Sequence, residues 1–222
     1  MGGDASTQHD KSRQYYEAER ADMLKYIPQN ARRTLEFGCG YGRFSALLKD
    51  TLHTESWAVE VDEQAAREAS RSLDRVIHAD AFAAMDQLPE NHFDCVIFFD
   101  ILEHLVDPYS LLRAVKSKLA PHGVVVASIP NIRYYSVFKD FVVHGNWEYR
   151  DQGVMDRTHL RFFTRKSIRA MFERLGFGIL TMEGIHPTSS RTYRWLNRVL
   201  CNTIADVRYK HYAVIAAPAT EE

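Results

Sequence analysis

From residue 34 onward, short apolar runs alternate with amphipathic stretches. Predominantly apolar segments at 34–37, 57–61, 75–78, 93–99 and 123–129 predict strands, while 42–50, 63–72 and 108–119 carry helical spacing. Predominantly apolar strands that alternate with helices indicate a parallel sheet covered on both faces. The stretch 108–119 is the best punctuated. Asp107 stands as N-cap, Pro108 opens the first turn, Leu111, Leu112, Val115 and Leu119 share one face, and Gly123 follows. Further on, Thr164 caps a helix that turns Ile168, Met171, Phe172 and Leu175 inward and closes at Gly176, and strands are predicted at 177–185 and 212–217. Upstream, residues 13–26 place Tyr16, Arg20, Met23 and Ile27 at helical spacing, and 1–12 read as a disordered polar tail.

Between 132 and 163 the alternation stops. This stretch holds Tyr134, Tyr135, Phe138, Phe141, Trp147, Tyr149, Phe162 and Phe163, and it is longer than an ordinary connection. A lid or acceptor-binding insertion after the fifth strand is expected, with a ring surface suited to a sugar or to a lipid-linked molecule. Phe138, Phe141 and Phe172 are expected in the core.

Composition narrows the function classes. A chain of 222 residues suits one domain over 13–222. With 28 basic against 29 acidic residues the bulk charge advertises no basic field, and no nucleic-acid partner is expected. The three cysteines, Cys39, Cys95 and Cys201, are far apart and read as small hydrophobes. With no apolar run long enough to span a bilayer and no leader-like start, a cytoplasmic protein is expected.

The candidate chemistry starts at Glu36-x-Gly38-x-Gly40-x-Gly42, a glycine-rich turn between a strand and a helix. Three alternate glycines let the backbone bend tightly and approach a ligand closely. The spacing is neither that of the dinucleotide fingerprint nor that of a phosphate loop. Glu36 would repel a pyrophosphate and favour a ligand that carries an amino group. Glu60 ends the second strand 18 positions after Gly42, near the spacing of an acid that accepts from ribose hydroxyls. Asp62 is its rival for that role and the expected cap of the next helix. Asp80 ends the third strand, and Asp100-Ile101-Leu102-Glu103-His104-Leu105 follows the fourth.

Together these residues resemble motif I and its companion strand ends in the class I S-adenosylmethionine-dependent methyltransferases. The resemblance implies a Rossmann-like, doubly wound, mostly parallel seven-stranded sheet with helices on both faces. It also implies S-adenosylmethionine as cofactor and S-adenosylhomocysteine as product. Gly38, Cys39, Gly40 and Gly42 would form the cofactor turn, Glu60 and Val61 the ribose side, Asp80 and Ala81 the adenine side with Phe82 adding apolar contact, and Phe99 the rim at the fourth strand. A narrower likeness, over about residues 15–185, rests on Ile129-Pro130-Asn131 and on Asp156-x-x-His159-x-x-Phe162-Phe163-Thr164. It resembles methyltransferases found beside or fused to glycosyltransferases in surface-polysaccharide pathways.

Transfer to a hydroxyl calls for a group that takes its proton. His159 is the first candidate, with Asp156 as orienter of its ring, and His104 the second; the alternative is that Asp156 and His159 only pin the loop. Arg133, Arg157 and Arg161 are candidates for an acceptor phosphate or carboxylate. Asp100, Glu103, Asp156 and the histidines lack any His-x-x-x-His spacing, so no metal is expected. The leading expectation is methylation of a hydroxyl on a sugar, nucleotide-sugar or glycan intermediate. The alternatives are a quinone-like acceptor, or a non-catalytic module that partners a glycosyltransferase.

Overall fold

A computed structural model of the chain describes residues 21–219. The expected tail at 1–12 and most of the expected helix at 13–26 lie outside those residues; within the described part of that stretch Asp22–Tyr26 is a short 3-10 turn. Seven strands form a sheet in the order β3-β2-β1-β4-β5-β7-β6, mostly parallel, as expected for this fold. The strands are β1 Arg33–Phe37, β2 Glu55–Glu60, β3 Arg75–His78, β4 Phe93–Phe99, β5 Leu119–Pro130, β6 Phe177–Pro187 and β7 Tyr209–Pro218. The helices are α1 Arg43–Leu52, α2 Glu63–Ala69, α3 Pro108–Val115, α4 Tyr135–His144, α5 Arg165–Arg174 and α6 Arg191–Val199. By contact the chain divides into two compact units. The first ends at Val96 and adds Lys118–Pro121; the second comprises Ile97–Ser117 and the chain from His122 onward.

In the first unit β2 pairs in parallel with both β1 and β3. β1 is covered because Thr34, Leu35, Glu36 and Phe37 are all buried. α1 starts at once after the glycine turn, and Asp62 caps α2 by accepting from the Ala65 N–H at 2.8 Å. Burial of Phe44 and Leu48 on α1 and of Ala65, Ala66 and Ala69 on α2 fixes both helices through their apolar stripes.

In the second unit β7 runs antiparallel to β5 and to β6. α3 begins as its punctuation dictates, with the Asp107 carboxylate accepting from the Ser110 N–H and Pro108 in the first turn. It ends four residues early, at Val115. A 3-10 turn, Lys116–Lys118, follows, and β5 already runs through Gly123. α5 carries the capping box expected of Thr164, reciprocated by Ser167, and buries Ile168, Met171 and Phe172.

The insertion at 132–163 is not a plain loop. It contains α4, which ends at Gly145 in the left-handed conformation (φ 62°). Its aromatic and β-branched residues weaken the helical signal in the sequence. Phe138 packs beside the buried Tyr193, Ile204 and Val207, and Phe172 is buried, but Phe141 is 56% exposed against its expected place in the core. Likewise Cys39 and Cys95 are buried while Cys201 is exposed. No described helix is long and apolar enough to cross a membrane.

Candidate functional site

The cradle in the first unit is built from backbone. Gly38, Gly40 and Gly42 all have positive φ, at 66°, 54° and 75°. Two of them are glycine for different reasons. A Cβ on Gly42 would lie 2.8 Å from the Ala69 Cβ and 3.1 Å from the Leu73 Cδ1, so close packing of α1 against α2 leaves no room for one. A Cβ on Gly40 would meet nothing within 4 Å; there only the left-handed backbone asks for glycine, and the turn faces open space.

Two carboxylates brace this turn. Glu60 is buried, and its Oε2 accepts from the Gly40 N–H at 2.7 Å while its Oε1 accepts from the Asp62 N–H at 2.9 Å. The end of β2 is thereby tied to the middle of the glycine turn, and the helix-capping alternative falls to Asp62 alone. Glu36 is fully covered. Ser45, in the first turn of α1, donates its hydroxyl to Glu36 Oε2 at 2.6 Å, which fastens strand to helix behind the turn. Cys39 is buried and its thiol donates to the Gly40 carbonyl at 3.4 Å.

The remaining expected cofactor residues differ in exposure. Val61 is 68% exposed and Phe82 40%, which leaves apolar surface open at the ends of β2 and β3. Asp80 is exposed, accepts from the Phe82 N–H at 2.9 Å in an Asx turn, and precedes a half-buried Ala81. An open turn with positive-φ glycines, an acid reaching it from the neighbouring strand and exposed apolar side chains at the strand ends fit an adenosyl group with an amino acid tail. Phe99, at the end of β4 in the second unit, is buried.

The second unit holds a different kind of site. Glu103 and His104 belong to a short 3-10 turn, Leu102–His104, and His159 comes from the far end of the insertion. The Glu103 carbonyl accepts from the N–H groups of both Leu160 at 2.8 Å and Arg161 at 3.0 Å, and so docks the two segments together. The His104 and His159 rings meet edge to face with centroids 4.7 Å apart, and His159 Nε2 lies 3.9 Å from Glu103 Oε1. Burial pushes the His159 imidazole below its ordinary pKa and neighbouring His104 adds to this, against the opposing pull of the Val154 carbonyl, Asp156 and Asp100.

Asp156 does not orient His159. Its Oδ1 accepts from the Thr158 N–H at 2.8 Å and from the Thr158 hydroxyl at 2.6 Å, while His159 Nδ1 is held by the Val154 carbonyl at 3.1 Å. Burial raises the Asp156 pKa, but the Thr158 hydroxyl and amide and the two histidines outweigh it and hold the carboxyl below its usual range. Thr158 was not singled out by any sequence pattern. Its hydroxyl and carbonyl both lie against His104 Nδ1, at 3.1 and 3.2 Å.

None of the three candidate arginines offers a guanidinium uncommitted to the chain. Arg133 pairs with Asp206 at 3.0 Å, Arg157 with Asp151 at 2.5 Å, and Arg161 donates to the Val106 carbonyl. Asn131 is likewise structural: it is fully buried and donates to the carbonyls of Asp206 and Tyr209, each at 2.9 Å. Asp100 has a left-handed backbone (φ 55°), accepts from the Ser128 hydroxyl at 2.7 Å and lies 3.7 Å from His211 Nε2. Beside His159, the rings of Phe162, Trp147, Phe141 and Tyr149 form a chain of contacts with centroids 5.5–6.4 Å apart, and Trp147 and Tyr149 remain exposed.

Comparison with known proteins bears on the family of the chain. The methyltransferase domain model matches residues 8–182. A Mycobacterium tuberculosis protein named as an S-adenosylmethionine-dependent methyltransferase is 33% identical over 110 residues; the match spans half of this chain and 40% of that protein. A ubiquinone biosynthesis O-methyltransferase of Cereibacter sphaeroides is 25% identical over 173 residues, 74% of this chain and 67% of the relative. The crystal structure of a SAM-dependent methyltransferase from Archaeoglobus fulgidus superposes with a TM-score of 0.67 at 25% identity, covering 90% of this chain and 93% of that one. With the glycine turn braced by Glu60, the strand order of the sheet and a domain match over most of its length, the chain belongs to the class I S-adenosylmethionine-dependent methyltransferases.

Proposed function

We propose that this protein is an O-methyltransferase for a hydroxyl of a ring-shaped small molecule, with a sugar, nucleotide-sugar or glycan intermediate as the preferred acceptor. In this reading the cofactor lies on the glycine turn, with Glu60 and Val61 at its ribose, and Asp80, Ala81 and Phe82 at its adenine. Glu36 acts from behind the turn, where its charge favours the ligand's amino group. When bound, S-adenosylmethionine supplies a methyl group whose bond to sulfur breaks with the electron pair left on sulfur. The chain's own task is then to position a hydroxyl oxygen and remove its proton, work assigned here to the Glu103, His104 and His159 cluster. Positioning alone is worth about 7–11 kcal/mol of a barrier.

The observation that carries the hydroxyl reading is the buried His159, held neutral by desolvation and aimed by the Val154 carbonyl, beside a buried carboxylate. The sugar preference draws on the exposed faces of Trp147 and Tyr149 next to it. A quinone-like phenol is the second reading, favoured by the Cereibacter relative. A glycosyltransferase partner and a cytoplasmic location belong to the sugar reading. The test is formation of S-adenosylhomocysteine with nucleotide-sugars and glycan fragments set against demethyl-quinols. Turnover with the quinols alone would move the acceptor to the second reading. Cofactor binding without product from any acceptor or cell extract would leave a non-catalytic module.

A further inference from the structure

Three side chains of the second unit converge although His159 lies more than fifty residues from the other two. Glu103, His104 and His159 each offer a ligand atom, and these atoms lie within 4.8 Å of one another. His159 and Glu103 are buried and His104 is half-buried. The 3.9 Å from His159 Nε2 to Glu103 Oε1 is too long for a hydrogen bond, yet two bonds of about 2.1 Å to a common centre span it.

The protonation pattern of both rings is set by the backbone. A carbonyl can only accept, so the Val154 carbonyl requires the His159 proton to sit on Nδ1. His104 Nδ1 faces the Thr158 carbonyl in the same way. The Thr158 hydroxyl confirms the assignment: its proton is given to Asp156 at 2.6 Å, leaving its oxygen to accept from His104 Nδ1 at 3.1 Å. In their neutral forms both rings therefore keep the lone pair on Nε2. Histidines that bind metals show this arrangement, with one ring nitrogen committed to a carbonyl and the other bare. Thr158 and Asp156 form the outer layer that fixes one of the rings.

We infer that Glu103, His104 and His159 form a binding site for one divalent first-row transition metal ion, with zinc as the first candidate. Two imidazoles and one carboxylate suit such an ion better than magnesium or calcium, which prefer oxygen throughout. Three protein ligands leave coordination positions for an acceptor hydroxyl. Coordination lowers the pKa of a bound oxygen, so the hydroxyl releases its proton to solvent near neutral pH. The ion, more than a free His159, then activates the acceptor. This deepens the O-methyltransferase reading and rests on it for the ion's use, though not for its binding. The sequence hid the site because a turn after β4 and the end of the insertion supply its ligands.

The test uses chelator-treated full-length protein titrated with cobalt(II), zinc and manganese, read by visible absorption of cobalt and by metal content after dialysis. One ion per chain is expected. Glu103→Gln, which preserves shape, and His159→Ala should weaken binding by at least about 100-fold, and Thr158→Val by about 10-fold, with S-adenosylmethionine affinity unchanged in all three. Absence of a cobalt spectrum in the folded parent protein, or binding undiminished in Glu103→Gln, overturns the site. Full methyl transfer by metal-free protein overturns the activating role alone. Stoichiometric metal binding with no methyl transfer to any acceptor sustains the site and sinks the O-methyltransferase reading instead.

Discussion

The glycine cradle and the histidine cluster make opposite use of the chain. The cradle is a backbone structure: three positive-φ glycines within five residues, braced from behind by Ser45 on Glu36 and from the side by Glu60 on Gly40. The cluster is a side-chain structure, assembled from segments more than fifty residues apart and oriented by the carbonyls of Val154 and Thr158. A backbone site tolerates little change in residue type but is written in a contiguous stretch. A side-chain site can be moved or replaced more freely, and its members carry no mutual spacing signal.

Substitutions that strike one region and spare the other would test this contrast. The largest effect is expected for Gly42→Ala, which adds a contact at 2.8 Å to a left-handed backbone. Strain and overpacking together should cost about 3 kcal/mol or more of stability in a urea titration, whereas Gly40→Ala, with open space around it, should cost only about 1–2 kcal/mol. Equal losses at the two glycines would show that packing against α2 is not what distinguishes them.

Next in size is His159→Ala. Turnover should fall about 100-fold while S-adenosylmethionine affinity stays at the parent value. An equal fall in both would mean that the cradle and the cluster are not separable functions. Glu60→Ala should behave in the converse way. Loss of two charge-assisted bonds to the Gly40 and Asp62 amides, together with a ribose partner, should weaken cofactor binding by about 10–100-fold in calorimetry. Unchanged affinity would remove Glu60 from the cofactor site. The smallest effect is expected for Trp147→Ala. With its ring 43% exposed, it should raise the acceptor KM about 5-fold at nearly constant kcat, and a fall in kcat alone would remove it from acceptor binding.

The same contrast explains what the sequence made legible. Predominantly apolar strands such as Phe93–Phe99, the Asp107-Pro108 start of α3 and the Thr164 cap of α5 are each specified by neighbours in the chain, and they fold where their pattern indicates. Local pattern misled where long-range contacts decide. α3 stops at Val115 although its apolar face continues to Leu119. There Lys118 turns inward, to the Leu88 carbonyl at 3.0 Å and to Glu90. The residue type of Phe141 suggests the core, yet it lies on an exposed aromatic face. A spacing of three suggests that Asp156 pairs with His159. In the fold that spacing closes a turn in which Asp156 serves Thr158, and the partner of His159 is a carbonyl, which no side-chain pattern records.

Glu103 has two roles through two different groups. Its carboxylate stands beside His159, and its carbonyl receives the Leu160 and Arg161 amides. Lifting residues 159–161 from that carbonyl necessarily carries His159 away from Glu103 and His104, so the cluster exists only in the docked fraction of molecules. Exchange of two amide protons, those of Leu160 and Arg161, would therefore report the free energy of assembling the site, and an acceptor that binds only the assembled cluster should slow that exchange.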